Sequence, residues 1–190
     1  LGPEVRAQMT AEIFQIRDHM VSLANSQYQG KYIFGGADDD DPPYDAATYT
    51  VPISGAASER YVFDAEDGTD VVRTVNVSDG LSVDLTTPAN GIFDNAIQAL
   101  ERLGRAVAGY STTPASGAPD GGGVAYTFPT DLATQTDAIQ ETIDLLRTAR
   151  ETDIMPERVD LSGRSRRLET AKNLLDLSKR DAQEVLDKLQ

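Results

Sequence analysis

Few side chains in this sequence are of a kind that performs chemistry, and their spacing limits what each could do. His19 is the only histidine among 190 residues. It could act as a general base in a Ser-His-Asp arrangement, but no G-x-S-x-G nucleophile turn accompanies it, and a triad demands partners at fixed geometry. It falls beside the apolar stripe of its segment and reads as an exposed helix residue. Asp38, Asp39, Asp40 and Asp41 are the candidate metal ligands, because carboxylate oxygens are what Ca²⁺ takes. The run lacks the D-x-D-x-D-G alternation that wraps a loop around an ion, and adjacent carboxylates point apart and repel. An acidic solvated loop is the expectation. Gly121-Gly122-Gly123 lacks the Gly-Lys-Ser/Thr continuation of a phosphate loop and reads as linker. Arg164, Arg166 and Arg167 form the one basic cluster, either a salt-laced helix face or partners for carboxylates on a neighbouring helix or subunit. Asn76-Val77-Ser78 matches a glycosylation tripeptide, but it runs into a turn and carries no weight. With no catalytic constellation, the expectation is a protein that is not an enzyme and uses no cofactor or metal.

The elements that hold these residues follow from composition and period. A chain of this length makes one domain or two small ones, and 39% hydrophobic residues are enough for a folded core. The formal charge of −14 repels phosphate backbones and anionic lipid, which argues against nucleic-acid and membrane partners. Cysteine is absent, so no disulfide or thiolate metal site can form. That absence suits a protein exported unfolded. No apolar run reaches the roughly 20 residues of a membrane span.

The first segment reads as a helix opened by Pro3. Met9, Ile13, Ile16, Met20 and Leu23 alternate spacings of four and three, the heptad period that keeps one seam towards a partner helix. The helix is expected to stop near Gly30. Tyr32-Ile33-Phe34 and Gly35-Gly36 follow, then the acidic run and Pro42-Pro43. From Tyr49 to Leu85 the alternation is that of strands, with Tyr49, Tyr61 and Phe63 expected in their core and turn signals at Asp67-Gly68 and Asp79-Gly80. The expectation is an antiparallel meander. Helix returns after Asn90, with Ile92, Phe93, Ala96, Ile97, Leu100, Leu103 and Val107 on one face. Residues 109–130 read as a loop. A third helix follows with Leu132, Ile139, Ile143 and Leu146 on one face, and Pro156 marks the next boundary.

The final segment repeats leucine at Leu161, Leu168, Leu175 and Leu189, with Ala182 in the same register and Ala171, Ser178 and Val185 in the second seam position. Continuous from Glu157 to Gln190, it is roughly 50 Å long. A small core cannot cover such a rod, so it needs a long partner helix, and the first segment is the expected one. On that reading Leu168→Asp costs several kcal/mol. The opening Leu1-Gly2-Pro3 and a seam still running at Gln190 give the expectation of a piece of something longer, monomeric by itself.

Leu23-Ala24-Asn25-Ser26, then Gly30 and Tyr32-Ile33-Phe34-Gly35-Gly36, resemble the bacterial flagellin superfamily, and within it the hook–filament junction family, hook-associated protein 3. That family reads L-A-N-T, a few residues, then G-x-Y-I-F-G-G. Near the end of the chain Arg164, Arg167, Leu168 and Glu169 are similar to its G-A-R-x-N-R-L-E, with Arg166 in place of Asn and the glycine shifted to Gly163. Met155-Pro156 interrupts the family's usual single helix. The resemblance covers about 11–36, 90–108 and 139–180. It implies an α+β protein: an elongated antiparallel long-helix bundle of 1–36 and 90–190, like the flagellin D1 domain, with a small antiparallel β domain inserted at 37–89. It also implies export by the flagellar type III system to the extracellular flagellum, and self-assembly with identical subunits. Other implied partners are hook-associated protein 1, flagellin and an export chaperone. Two alternatives stand beside it: a flagellin of the filament, and a secreted Ca²⁺- or glycan-binding β module on a helical stalk.

Overall fold

A computed structural model of the chain describes residues 2–53, 56–63, 71–78, 81–109 and 131–188, giving the backbone path alone over 46–53 and 56–63. The order is α1 (Pro3–Ala24), β1 (Gln27–Tyr28), β2 (Lys31–Tyr32), β3 (Tyr44–Ile53), β4 (Ala56–Phe63), β5 (Thr74–Ser78), β6 (Leu81–Asp84), a π-helical turn (Asn90–Asp94), α2 (Asn95–Ala108), α3 (Leu132–Ala149), a second π-helical turn (Arg150–Ile154) and α4 (Met155–Lys188). The fold is therefore α+β, dominated by helix. The Gly-rich residues 110–130, the Asp67-Gly68 turn and Leu189 lie outside the described residues, as do the side chains of Tyr49, Tyr61, Phe63, Ala182 and Val185.

The helices form a layer with α2 in the middle, packed against α1 on one side and α3 on the other. Direction can be read from the cross-links. Thr10 reaches Gly104 while Arg17 reaches Glu101, so α1 and α2 are antiparallel. Gln135 reaches Ala106 while Asp153, beyond the end of α3, reaches Asn95, so α3 is antiparallel to α2 as well. Gly109, at φ +97°, ends α2 and takes up two of its last carbonyls.

Among the described residues the strands form three two-stranded antiparallel sheets, β1–β2, β3–β4 and β5–β6, in place of one meander. β3 also begins at Tyr44, five residues before the alternation of the sequence announces it. Ser78 pairs with Leu81, so β5 and β6 flank the hairpin expected at Asp79-Gly80. In the small β1–β2 hairpin the turn residues Gln29 and Gly30 both lie at positive φ, +53° and +83°, the geometry of a type I′ turn.

Two helix boundaries differ from the sequence expectation. α1 ends at Ala24 rather than near Gly30, because Asn25 leaves the helix to bond Tyr44. Pro156 does not stop the helix after α3. The Met155 N–H donates to the Arg150 carbonyl, a five-residue π spacing that widens the turn just before the proline ring. The helical path therefore runs on through Pro156 into α4, 34 residues and roughly 50 Å long. That continuity also undoes the expected pairing of α1 with α4. The partner of α1 is α2, and α4 leaves the layer to lie against β6.

Candidate interaction surface and the knot that anchors it

The faces that α1 and α3 bury are displaced by one residue from their apolar stripes. On α1 the inward residues are Thr10, Phe14, Arg17, Val21 and Ala24, again spaced four and three. They stand one position after Met9, Ile13, Ile16, Met20 and Leu23. One residue is about 100° of helix rotation, which carries the larger apolar side chains off the interface. Ile16 is 54% exposed, Val5, Met9 and Leu23 are exposed too, and Ile13 and Met20 are half-buried. α3 shows the same displacement in the other sense. Gln135, Ala138, Thr142 and Ala149 are buried, whereas Leu132 and Ile143 are exposed and Ile139 and Leu146 half-buried.

Small and polar residues bury here because α2 supplies the apolar bulk and its neighbours come close. A Cβ on Gly104 would stand 2.4 Å from Phe14 Cε1, so only glycine lets α1 cross at that height. Arg17, 5% exposed, donates to Glu101, 6% exposed, and to Asp18 at 2.7 Å, and its guanidinium lies 4.6 Å from the Phe14 ring centroid. Burial pulls the Arg17 pKa down, but Glu101 and Asp18 outweigh it and hold the group above its ordinary range. A buried pair of this kind gains little net energy over an apolar one but fixes which residues face each other. The Thr142 hydroxyl donates within its own helix, to the carbonyls of Ala138 and Ile139 at 2.9 Å. Gln135 Nε2 donates to the Ala106 carbonyl at 2.7 Å.

At the end of α1 the chain ties a compact knot from the residues Leu23–Gly36. Ala24 is fully buried with Val21, Tyr44, Ala89 and Ile97. The Asn25 amide donates Nδ2–H to the Tyr44 carbonyl at 2.8 Å and accepts the Tyr44 N–H at 3.0 Å, doing for the start of β3 what a neighbouring strand would do. Asp or Ser could not supply both a donor and an acceptor of that reach. The Ile33 N–H donates to Ser26, the Tyr32 N–H to Asp39, and the Ala89 N–H to Phe34. A Cβ on Gly35 would stand 2.4 Å from the Asp38 carbonyl, and Gly36 turns at φ +61°. Phe34 meets Phe93 edge to face at 5.1 Å, joining the knot to the root of α2. Burial, with Asp94 adding to it, pushes the Tyr44 phenol well above its usual range. Leu23 and Ile33 remain exposed at the rim.

No protein-family model and no curated protein matches the chain. A crystal structure of flagellar hook associated protein-3 from Legionella pneumophila is similar to part of it. The TM-score is 0.36 and the identity 22%, covering 49% of this chain and 25% of that one, so the match spans a quarter of that protein's length.

The acidic run is anchored, not simply solvated. Lys31 pairs with Asp39 at 3.1 Å and with Asp40, and Arg73 donates to Asp39 Oδ2 at 2.9 Å and to the Ala37 carbonyl. Hydrogen bonds from Lys31, then Arg73, hold the Asp39 carboxyl below the usual carboxylate range. Among the described residues no group of three or more His, Cys, Asp or Glu is placed to hold a metal. His19 is exposed on α1. On α4, Leu161 and Leu175 are 61% and 62% exposed, and Leu168 and Glu169 are exposed as well. Arg164 points inward onto Thr87, while Arg167 lies 3.7 Å from Asp160. A groove between α2 and α3, lined by Asn95, Gln98, Arg102, Leu145, Thr148 and Thr152, encloses about 220 Å³. That is below the roughly 300 Å³ at which small-molecule sites begin.

The polar inner stripe was the part that sequence reasoning missed. Thr10, Arg17, Glu101 and Gln135 are read as solvent-facing until their partners, up to 94 residues away, are known. One signal was available: Thr10, Phe14, Arg17, Val21 and Ala24 keep the same heptad spacing as the seam beside them.

Proposed function

We propose that this chain is a structural, non-catalytic subunit of a bacterial flagellum that works by packing its exposed helix faces against other chains. The observation that carries the reading is the displaced register. Val5, Met9, Ile16 and Leu23 on α1, and Leu161, Leu168 and Leu175 on α4, keep a heptad period while standing at the surface. Long apolar stripes repeated at 3.5 residues are what one helix offers another, and here the chain's own interior is built from different residues.

The flagellar assignment is supported by Leu23–Gly36. Each of Ala24, Asn25, Phe34 and Gly35 has a specific part in the knot, so the stretch that resembles the junction family is a working structural unit. The similar Legionella pneumophila structure is itself a flagellar hook associated protein. On this reading 1–36 and 90–190 form the axial rod and 37–89 a projecting β domain. Partners are identical subunits, hook-associated protein 1 and flagellin, with an export chaperone before assembly, and the place is the extracellular flagellum. Among the described residues no helix is long and apolar enough to cross a membrane.

Immunogold labelling of intact flagella with antibody raised against this chain tests the reading. Gold confined to the boundary of hook and filament is the expected result. Gold along the filament would make the chain a flagellin instead, and flagella without gold would refute the assignment.

A further inference from the structure

A run of polar contacts crosses the molecule from the acidic loop to α4. Arg73, which holds Asp39, donates its backbone N–H to Thr86 Oγ1 at 2.8 Å, and Leu85 donates to the Arg73 carbonyl at 2.7 Å. Arg73, Leu85 and Thr86 thus prolong the β5–β6 hairpin. One residue on, Thr87 Oγ1 donates to Glu157 Oε1 at 2.7 Å. Arg164 donates Nη1–H to the same hydroxyl at 2.7 Å and to the Thr86 carbonyl at 3.5 Å. It also donates Nε–H to Asp160 at 2.5 Å, and its Nη2 lies 3.4 Å from Glu157. Thr87, Glu157 and Arg164 therefore close a ring of bonds. The Arg164 side chain is 13% exposed, so the ring is largely shielded from water and salt.

Near this ring α4 has little apolar grip, since Val159 and Leu161 both face solvent. Just before it lies the π-helical turn 150–154, the kind of irregularity at which long helices bend. A long helix with a bend point at its root takes its direction from the next attachment along it. The attachment here is the ring, together with the packing of α4 on β6, which belongs to the same hairpin.

We propose that Thr87, Glu157 and Arg164 form a latch that fixes the direction of α4 and makes it follow the position of the β5–β6 hairpin. While the ring is closed, α4 presents Leu168 and Leu175 at one fixed angle to the three-helix layer. A displacement of the hairpin draws Thr86 and Thr87 away from Arg164 and releases α4 to pivot at the π-turn. The β5–β6 hairpin and the leucine stripe are coupled through this ring, which reinforces the packing of α4 on β6. This holds whether or not the chain is a flagellar subunit.

The absence of cysteine makes the test direct, because introduced cysteines are the only sites of spin labelling. Gln15→Cys and Lys179→Cys place labels on exposed positions of α1 and α4, and Gln15→Cys with Arg102→Cys reports on the α1–α2 layer. Pulsed electron–electron resonance on the full chain is expected to give one narrow 15–179 distance. Arg164→Met should abolish that single distance, Thr87→Val should do the same, and the double variant should add nothing, with the 15–102 distance unchanged throughout. Thr87→Val removes one hydroxyl at nearly constant volume and decides the matter if Arg164→Met fails to fold. A narrow 15–179 distance that survives both substitutions would overturn the latch. So would a change in the 15–102 distance, which would make the ring a general part of the folded core.

Discussion

α2 and α4 are both helices with apolar residues on a regular period, and the molecule treats them in opposite ways. α2 is held on two sides, and nine of its fourteen residues are buried, among them Ala96, Ile97, Leu100 and Val107. α4 is more than twice as long, yet Ala171 is its one buried residue among those described, and Leu161, Leu168, Leu175 and Leu177 face outward. Period alone announces a stripe and leaves its partner open. What separates the two helices is the company they keep. α2 lies between close neighbours that present Thr10, Arg17, Gln135, Ala138 and Thr142, whereas α4 is attached near its root by hydrogen bonds and by packing on β6 and continues beyond them.

That contrast can be broken most forcibly at Glu101. Glu101→Leu takes from the buried Arg17 the carboxylate that pairs with it, an expected loss of roughly 3–5 kcal/mol in urea unfolding. The pair Arg17→Met with Glu101→Leu should recover most of the loss, because an apolar pair of similar volume replaces the ionic one. Ile97→Ala removes bulk from the cluster with Val21, Ala24, Tyr44 and Ala89, and should cost about 3 kcal/mol. Gly104→Ala drives a methyl into the Phe14 ring and should cost about 1–3 kcal/mol, visible as a lowered Tm. On the other side of the comparison, Leu168→Asp should change the stability of the isolated chain by less than about 0.5 kcal/mol. The loss of several kcal/mol that heptad spacing implies requires a buried seam, and Leu168 is exposed. Its cost belongs to assembly, where it should show as failure to incorporate.

The smallest effect concerns pH. The Asp39 carboxyl is held below its usual range, so the stabilisation from Lys31 and Arg73 is fully present above the ordinary carboxylate pKa of about 4. It disappears only as pH falls through the depressed value. An NMR titration should find Asp39 deprotonated where an unpaired aspartate is half protonated, and Lys31→Ala should bring its midpoint back up.

Much of the layer could be read from the residues alone. Ile92 in the π-helical turn and Ala96, Ile97, Leu100 and Val107 in α2 announce one buried face because burial of apolar surface is what drives that segment into place. Asn25 and Gly35 could be singled out, but not explained. The use of Asn25 depends on Tyr44, nineteen residues on, and that of Gly35 on the path of the Asp38 carbonyl. The π-turn ahead of Pro156 was hidden too, because proline reads as a stop unless the helix widens to admit it. The polar stripes of α1 and α3 were illegible for a simpler reason. A buried arginine or glutamine looks like a surface residue until the chain that satisfies it is in position.

The displaced register of α1 is most directly tested by the reactivity of single cysteines in the otherwise cysteine-free chain. Ile16→Cys and Val21→Cys lie on the two neighbouring stripes. In the isolated folded chain a thiol at position 16 should react with a maleimide at the rate of an exposed cysteine, and one at position 21 should be protected. Protection at 16 with free reaction at 21 would mean that the apolar seam is the buried face after all, and would contradict the account.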